Sequence, residues 1–370
     1  MTIFFDKIVK ILQKGAKSRS WLNGLLMFLA STIVGLLFAA ILIWLSGKDV
    51  ELAYYSLIYG SLGNVFNLSE MLMRTTPLLF SGLAVALAFH CGLFNIGVEG
   101  QLIIGGLVAG WAGYAIHGLP WIIHFPLCLL LGMCSGALWG LLAGILKAWR
   151  GVHEVISTIM LNYIAFCLTN FLVSSGGPLK AEGQLPATPF ILESARLPHL
   201  IPGTRFSGSI FLALLAAFFV DYLLWKTRLG YHIRVVGKNP FAAEFGGISP
   251  RFTIIYTMLL SGGLAGLAGA VEVLGLHYRF YGAFSPGYGF DAIAIALMGN
   301  LHPFGVLLAS LLFGILRVGS TQMQLTANVS QDIVYAISGV IIFFTGLRGI
   351  FDSLVSKLGS LKKRKVFNGL

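Results

Sequence analysis

Apolar stretches long enough to cross a membrane recur from one end of this 370-residue chain to the other. A membrane-spanning helix needs about 20 consecutive, mostly apolar residues. Such stretches occupy residues 21–46, 68–90, 95–116, 121–149, 153–174, 207–226, 251–275, 303–320 and 331–347, and a shorter one occupies 288–300. They lack the period-two alternation of a barrel, and backbone groups in lipid must be paired within their own segment. The sequence therefore predicts an all-α, polytopic membrane protein of about ten transmembrane helices.

The composition agrees with a membrane protein that has no second domain. Hydrophobic residues make up 57% of the chain and charged residues 11%. A chain of this composition has more apolar surface than the core of one soluble domain can bury. We expect a single transmembrane domain at 21–347, a basic amphipathic arm at 1–20 and a basic tail at 348–370. Only two connections are long, at 174–206 and 227–250.

The positions of lysine and arginine predict the orientation. They cluster in the arm at 1–20, after the fourth stretch, in the connection 227–250 and in the tail, and alternating spans place all four clusters on one side. The positive-inside rule makes this side cytoplasmic, so both termini are expected inside the cell and the loop 174–206 outside. The net charge of +11 thus reflects topology and anionic lipids. A nucleic-acid partner is not expected, because the basic residues are scattered among loops.

A polar cluster interrupts the apolar pattern at residues 94–101. This run contains Asn95, Glu99 and Gln101 among glycines. Polar groups at membrane depth cost free energy unless they face protein or a water-filled path. The glycines predict a break between two spans, where a helix start faces a cavity. Two interpretations stay open, since Asn95 and Glu99 could cap the helix or line a substrate pathway.

Weak internal symmetry suggests two inverted repeats. Residues 97–99 resemble 289–291, 144–147 resemble 314–317, and 153–156 resemble 331–334, with the matched segments on opposite sides of the membrane. Transporters are often built in this way. The predicted substrate-pathway residues are Asn95, Glu99, Gln101, Asn162, Asp291 and Asn300. For Asn162, a bond to a neighbouring helix is the alternative. Glu272, Arg279 and Arg317 are expected near the outer surface, solvated or paired.

The connection 227–250 contains the pattern of a short helix. Asn239 before Pro240 is typical of a capped helix start, and glycines at 246 and 247 end it. Phe241 and Phe245 would lie one turn apart, which favours a helix that docks into a groove of another protein. The predicted docking residues are Gly237, Asn239, Pro240, Phe241, Ala242, Ala243, Glu244, Phe245 and Gly247.

These segments resemble a known family. Residues 76–78, 82–86, 94–101, 152–163 and 237–248 are similar to permease subunits of bacterial ABC importers in the branched-chain amino acid, ribose and nucleoside group. The run at 94–101 is most similar to nucleoside and simple-sugar permeases that work with basic-membrane-protein lipoproteins. The resemblance covers nearly all of 50–347.

The resemblance implies a fold and a set of partners. The fold would be type II-like, in the bacterial cytoplasmic membrane, with a second homologous permease beside it. Two cytosolic ATPase subunits would bind ATP and Mg and dock on 239–248, and an extracellular lipoprotein would deliver a nucleoside or a simple sugar for alternating access. No cofactor is implied for this chain itself.

Other functions fit the sequence less well. The chain has no Gly-x-x-x-x-Gly-Lys-Ser/Thr phosphate loop, so an ATP-driven pump would need a separate ATPase. His153 and Glu154 lack the second histidine of a zinc-protease helix, so we expect neither an enzyme nor a metal site. An ion-coupled secondary transporter that uses Glu99 and Asp291 is the main alternative, although it has no use for a docking helix. A scaffold without transport would not need broken helices.

Overall fold

The computed structural model describes residues 28–330 together with 332, 333, 336, 339, 340 and 343. The predicted arm at 1–20, the tail at 348–370 and most of the predicted span 331–347 lie outside the described residues. The chain divides into two compact units, one made of 1–53 and 327–370 and the other of Tyr54–Thr326. The first unit contains helix α1, Phe28–Leu45.

Most of the rest of the described chain is also helical. In order, the helices are α2 Val50–Leu62, α3 Val65–His90, α4 Val98–Ala115, α5 Trp121–Arg150, α6 Glu154–Val173, α7 Ser209–Lys226, α8 Arg228–Lys238, α9 Pro240–Phe245, α10 Pro250–Glu272, α11 Tyr288–Met298 and α12 Pro303–Ala327. A π-helical turn, Val273–His277, extends α10. Isolated bridges such as that between Ala187 and Tyr281 are the only β-type pairing in the described residues.

The all-α membrane architecture is confirmed, whereas the count of about ten spans is not. Seven of the described helices are long and apolar enough to cross a membrane: α1, α3, α5, α6, α7, α10 with its π turn, and α12. Helix α4 has 18 residues but carries Glu99 and Gln101 in its first turns. Helix α11 has only 11 residues, which is about half of a crossing.

The connection 227–250 holds more structure than the sequence predicted. Besides the expected short helix α9, it forms α8, whose start is capped by the Thr227 side chain accepting a hydrogen bond from Gly230 N at 3.1 Å. Ile233 and Val236 are buried while Arg228 is exposed, so α8 is amphipathic. The sequence reasoning missed α8 because its apolar residues are too few to register as a span.

Glycines set the spacing of the central helices α5 and α10. Gly136 on α5 faces Gly262 and Gly266 on α10, and a β-carbon on Gly136 would lie 2.5 Å from the Gly262 carbonyl oxygen. Helices in lipid gain stability from such close backbone approach, because water cannot drive their association. The same glycine-lined side of α10 also meets α4, where Gly105 packs on Gly266. Helix α4 is therefore held inside the body of the domain.

Candidate functional site

Helices α4 and α11 begin against each other inside the domain. A β-carbon on Gly289 would lie 2.6 Å from the Glu99 Cα, so only glycine allows this approach. Gly289 N donates a hydrogen bond of 2.6 Å to Glu99 Oε2, and Glu99 is 1% exposed. A carboxylate is stabilised at a helix start, where N–H groups lack partners and the dipole is positive. Glu99 thus caps α11 and not its own helix α4.

The two helices run in opposite directions from this meeting point. Helix α4 is parallel to α10, because Gly105 meets Gly266 and Gly110 meets Val273. Helix α11 is parallel to α3, and α3 is antiparallel to α10: Arg74 meets Glu272 near the end of α10, and Ala84 meets Ser261 near its middle. The Tyr288 end of α11 lies at Arg74, and the turn after α11 reaches His90. Two opposed helix starts are the geometry that inverted repeats produce.

The segment before α4 is held by amide hydrogen bonds. Asn95 Oδ1 accepts from Gly97 N at 3.0 Å, and Asn95 Nδ2 donates to Gln101 Oε1 at 3.1 Å and to Ser261 Oγ at 2.9 Å. Ser261 in turn donates to the Ala84 carbonyl at 2.7 Å. These side chains are buried, so the break is tied to α10 and α3. The break between spans that the glycines predicted is present.

Asn162 binds the first turn of α4 from α6. Its Oδ1 accepts from Gly100 N at 2.8 Å, and its Nδ2 donates to the Ile96 carbonyl at 3.0 Å. The side chain is 3% exposed. This is the bond to a neighbouring helix that the sequence analysis gave as the alternative to a pathway role.

Asp291 and Asn300 have surroundings different from those of Glu99. Asp291 lies in the first turn of α11 and pairs with Arg317 at 2.9 Å, with its side chain 24% exposed. Glu99 and Asp291 therefore lie close together but are not equivalent, because one caps a helix and the other forms an ion pair. Asn300 lies beyond the opposite end of α11, exposed, with a left-handed backbone at φ 54°. The structure thus does not bring Asn300 to the other predicted pathway residues.

A charged group that the sequence analysis missed lies next to Gly289. Arg74 on α3, Glu272 on α10 and Tyr288 on α11, here called the Arg74 triad, share hydrogen bonds. Arg74 Nη1 donates to Tyr288 OH at 3.0 Å and lies 3.5 Å from Glu272 Oε1, and Tyr288 OH donates to the same oxygen at 3.1 Å. An arginine inside the apolar stretch 68–90 was the signal that could have revealed the triad.

Glu272 is paired, which is one of the two outcomes expected for it. Its exposure is only 2%, because the π turn extends the helix past it. Arg317 is paired as well, and its guanidinium lies 4.7 Å from the Tyr288 ring centroid.

In the segment between α10 and α11, burial and the nearby Glu272 carboxylate raise the pKa of Tyr281 above its ordinary value. This phenol therefore stays neutral.

The predicted docking residues form a capped turn of helix on the surface. Asn239 Oδ1 accepts from Ala242 N at 3.1 Å at the start of α9, and Gly247 follows its end with φ 77°. Phe241 is 77% exposed and Phe245 is 96% exposed. Two of the nine predicted residues do not face outward. Ala243 is fully buried, and Gly237 packs against the backbone of His90 and Cys91 at the end of α3.

Broken helices that meet inside a membrane domain are typical of membrane transporters. The fold and the site therefore define a polytopic transport protein. A family model described as the permease component of the branched-chain amino acid transport system matches residues 67–346, and the chain belongs to this family. The resemblance given above is thereby confirmed. As a permease, the chain is a transport component and not an enzyme. No solved structure matches it.

Three relatives extend over most of the chain. The guanosine ABC transporter permease protein NupP of Bacillus subtilis is 42% identical, over 91% of this chain and 97% of its own length. The nucleoside ABC transporter permease protein NupB of Lactococcus lactis is 32% identical, over 90% and 94%. The glucose ABC transporter permease protein TsgB13 of Haloferax volcanii is 35% identical, over 79% of both chains.

Proposed function

We propose that this chain is the membrane-spanning permease of an ATP-driven importer that moves nucleosides. An extracellular binding lipoprotein delivers the substrate, and the chain lies in the bacterial cytoplasmic membrane with both termini inside the cell. The full-length similarity to the guanosine permease NupP supports the choice of nucleosides. A simple sugar is the second candidate, favoured by the similarity to the glucose permease TsgB13.

The surface of α9 carries the proposal of an ATP-driven mechanism. A side chain caps this six-residue helix, which presents two exposed phenylalanines where a solvated turn would present polar groups. We assign Phe241, Phe245 and Glu244 to docking of two ATPase subunits, which bind ATP and Mg. A second homologous permease completes the membrane part. Gly237 and Ala243 support this surface from within the chain.

Alternating access requires that a movement of α9 is transmitted to the polar break at residues 94–101. Gly237, at the end of α8, packs against the backbone at the end of α3, only a few residues before Asn95. Asn95 leads to α4, and Glu99 on α4 holds the start of α11. A shift of α9 that moves this contact would move both helix starts together. The ATPase would bias a two-state equilibrium between outward and inward access.

The ion-coupled alternative is not supported. Such a carrier needs carboxylates that can exchange an ion during transport. Glu99 is enclosed and bonded to a backbone N–H group, and Asp291 is bonded to Arg317. Both carboxylates already have structural partners.

Removal of the exposed rings tests the docking assignment. We expect F241A and F245A together to abolish co-purification of the ATPase subunits and ATP-dependent uptake, while the permease still inserts in the membrane. The matched control is Y231A, which removes another exposed aromatic ring, 54% exposed, from the neighbouring α8. Retained ATPase binding in the double variant would refute the assignment.

Uptake in cells tests substrate and energy source. A strain that lacks this gene should lose uptake of labelled guanosine and regain it on complementation. Uptake that resists a protonophore but stops when ATP is depleted supports the importer, whereas uptake that stops with the protonophore at constant ATP supports the ion-coupled carrier. Loss of glucose uptake with intact nucleoside uptake would move the assignment to sugars.

A further inference from the structure

The Arg74 triad has no role in the mechanism proposed above. It does not touch α9, and it is not needed to cap α4 or α11. A buried ion pair is a poor source of stability, because apolar residues of similar size often stabilise a protein as well or better. In a membrane domain the cost of the charges is larger still. Glu272 and Tyr288 are 2% and 0% exposed. The presence of this buried charged group therefore calls for a function.

The triad lies where a transport pathway is expected. Tyr288 directly precedes Gly289, which contacts Glu99 at the meeting point of α4 and α11. Membrane transporters bind substrate at such junctions of broken helices. In the predicted topology α10 runs outward, so the triad near its end lies toward the extracellular side, where substrate enters.

The backbone beside the triad is irregular. Glu272 is followed by the π turn Val273–His277, and Tyr278 and Ala283 are left-handed, both at φ 56°. Single π turns are frequent at functional sites, and left-handed non-glycine residues persist where function or packing requires them. Irregular backbone within a membrane domain is tolerated where it lines a cavity or is buried in protein.

Aromatic rings border the triad on the side of this segment. His277 Nε2 lies 3.4 Å from Glu272 Oε1. The Tyr281 and Phe284 rings lie 5.0 and 6.3 Å from the His277 ring, both edge-on. The side chains of Arg74 and His277 are 29% and 17% exposed, so this edge of the group is open. The charged group therefore adjoins a cluster of aromatic rings.

This combination matches the two halves of a nucleoside. The ribose is neutral and presents vicinal hydroxyls, which can accept hydrogen bonds from a guanidinium. The base is a flat heterocycle that stacks on aromatic side chains. We propose that Arg74, at the open edge of the group, binds the ribose hydroxyls of the transported nucleoside, while the buried Glu272 and Tyr288 hold its guanidinium in position and the His277 and Tyr281 rings lie against the base. This inference rests on the proposed nucleoside function.

The test compares guanosine with 2′,3′-dideoxyguanosine, which lacks both ring hydroxyls. The importer is reconstituted in proteoliposomes with its partner subunits, and each nucleoside is supplied at a concentration that saturates the binding lipoprotein. The lipoprotein is common to all samples, so a change between variants arises in the permease. Hydrogen bonds to charged groups predict that the wild-type chain transports guanosine at least about tenfold faster.

Two variants address the triad and one serves as control. E272Q removes the carboxylate charge, and Y288F removes only a hydroxyl and keeps the ring that Arg317 covers. Both should reduce the preference for guanosine to within about twofold. E154Q disrupts another ion pair of the same chain, Lys147 with Glu154 at 2.7 Å, and should keep the preference. Y288F gives a result even if E272Q fails to assemble.

The outcomes separate this inference from the proposed function. An unchanged preference in assembled Y288F and E272Q overturns the ribose site while nucleoside transport stands, and so does a wild-type chain with no preference. A wild-type chain that transports neither nucleoside overturns the proposed function. A reduced preference in the triad variants with a normal preference in E154Q supports the inference.

Discussion

Alanine at Gly262 is expected to push α5 and α10 apart. A β-carbon on Gly262 would overlap the Gly136 carbonyl oxygen and lie 3.1 Å from the carbon of that group. The neighbouring residue on the same helix, Gly263, is the matched control, because the nearest atom to its β-carbon is Met133 Cγ at 3.4 Å. Both substitutions add one methyl group and raise helix propensity equally. They differ only in the space available.

The two substitutions should have opposite effects on stability. Gly263→Ala should gain about 0.5–1 kcal/mol from the more restricted unfolded chain and higher helix propensity. Gly262→Ala has the same gain but must separate two rigid backbones by roughly half an ångström, and such overpacking costs about 1–3 kcal/mol. We therefore expect G262A to be the less stable variant by about 1–3 kcal/mol.

Thermal inactivation in detergent measures this difference. Because unfolding of such a protein is irreversible, the variants are heated for a fixed time and the folded fraction is read by size-exclusion chromatography. Because the overpacked native state is the one from which inactivation starts, G262A should lose half of its folded fraction at a lower temperature than G263A. Equal half-inactivation temperatures would show that the α5–α10 interface can relax, and would refute the close-packing argument.

Two further substitutions address the helix starts. Asn162→Ala leaves two backbone groups unpaired, the buried Gly100 N–H in the first turn of α4 and the partly buried Ile96 carbonyl before it. It should therefore lower stability by about 1–3 kcal/mol, with a lower half-inactivation temperature in the same heating assay. The exposed Asn170 of the same helix should tolerate alanine. Glu99→Gln keeps the size of the side chain but replaces its charge-assisted hydrogen bond to Gly289 by a neutral one. We expect a clear loss of guanosine uptake with little change in thermal stability. The exposed Glu193→Gln is the control. Unchanged uptake with lowered stability would leave Glu99 a purely structural cap.

Local features of the chain were predictable from sequence. The bounds of α5 and α6 lie within one residue of their apolar stretches, because apolar runs and cap residues act over only a few positions. The helix at Pro240 was predictable for the same reason, since Asn239 caps it from the adjacent position. The family resemblance likewise depended on contiguous motifs.

Long-range pairing was not predictable. Asn95 and Glu99 looked alike as possible caps of α4, yet one organises the segment before α4 and the other binds the start of α11. Glu272 was expected near the outer surface, solvated or paired, and Arg74 was not singled out. The fold places both of them beside Tyr288. No sequence pattern relates three positions on three different helices.

By itself, the sequence determined that the chain is a helical membrane protein and where its polar break lies, because partition into lipid and helix formation depend on runs of neighbouring residues. The tertiary structure alone decided that Glu99 caps a helix 190 positions further along, and that three charged or polar groups meet beside it. Those pairings depend on the packing of α3, α4, α10 and α11, in which glycines remove the side chains that would otherwise hold the helix starts apart.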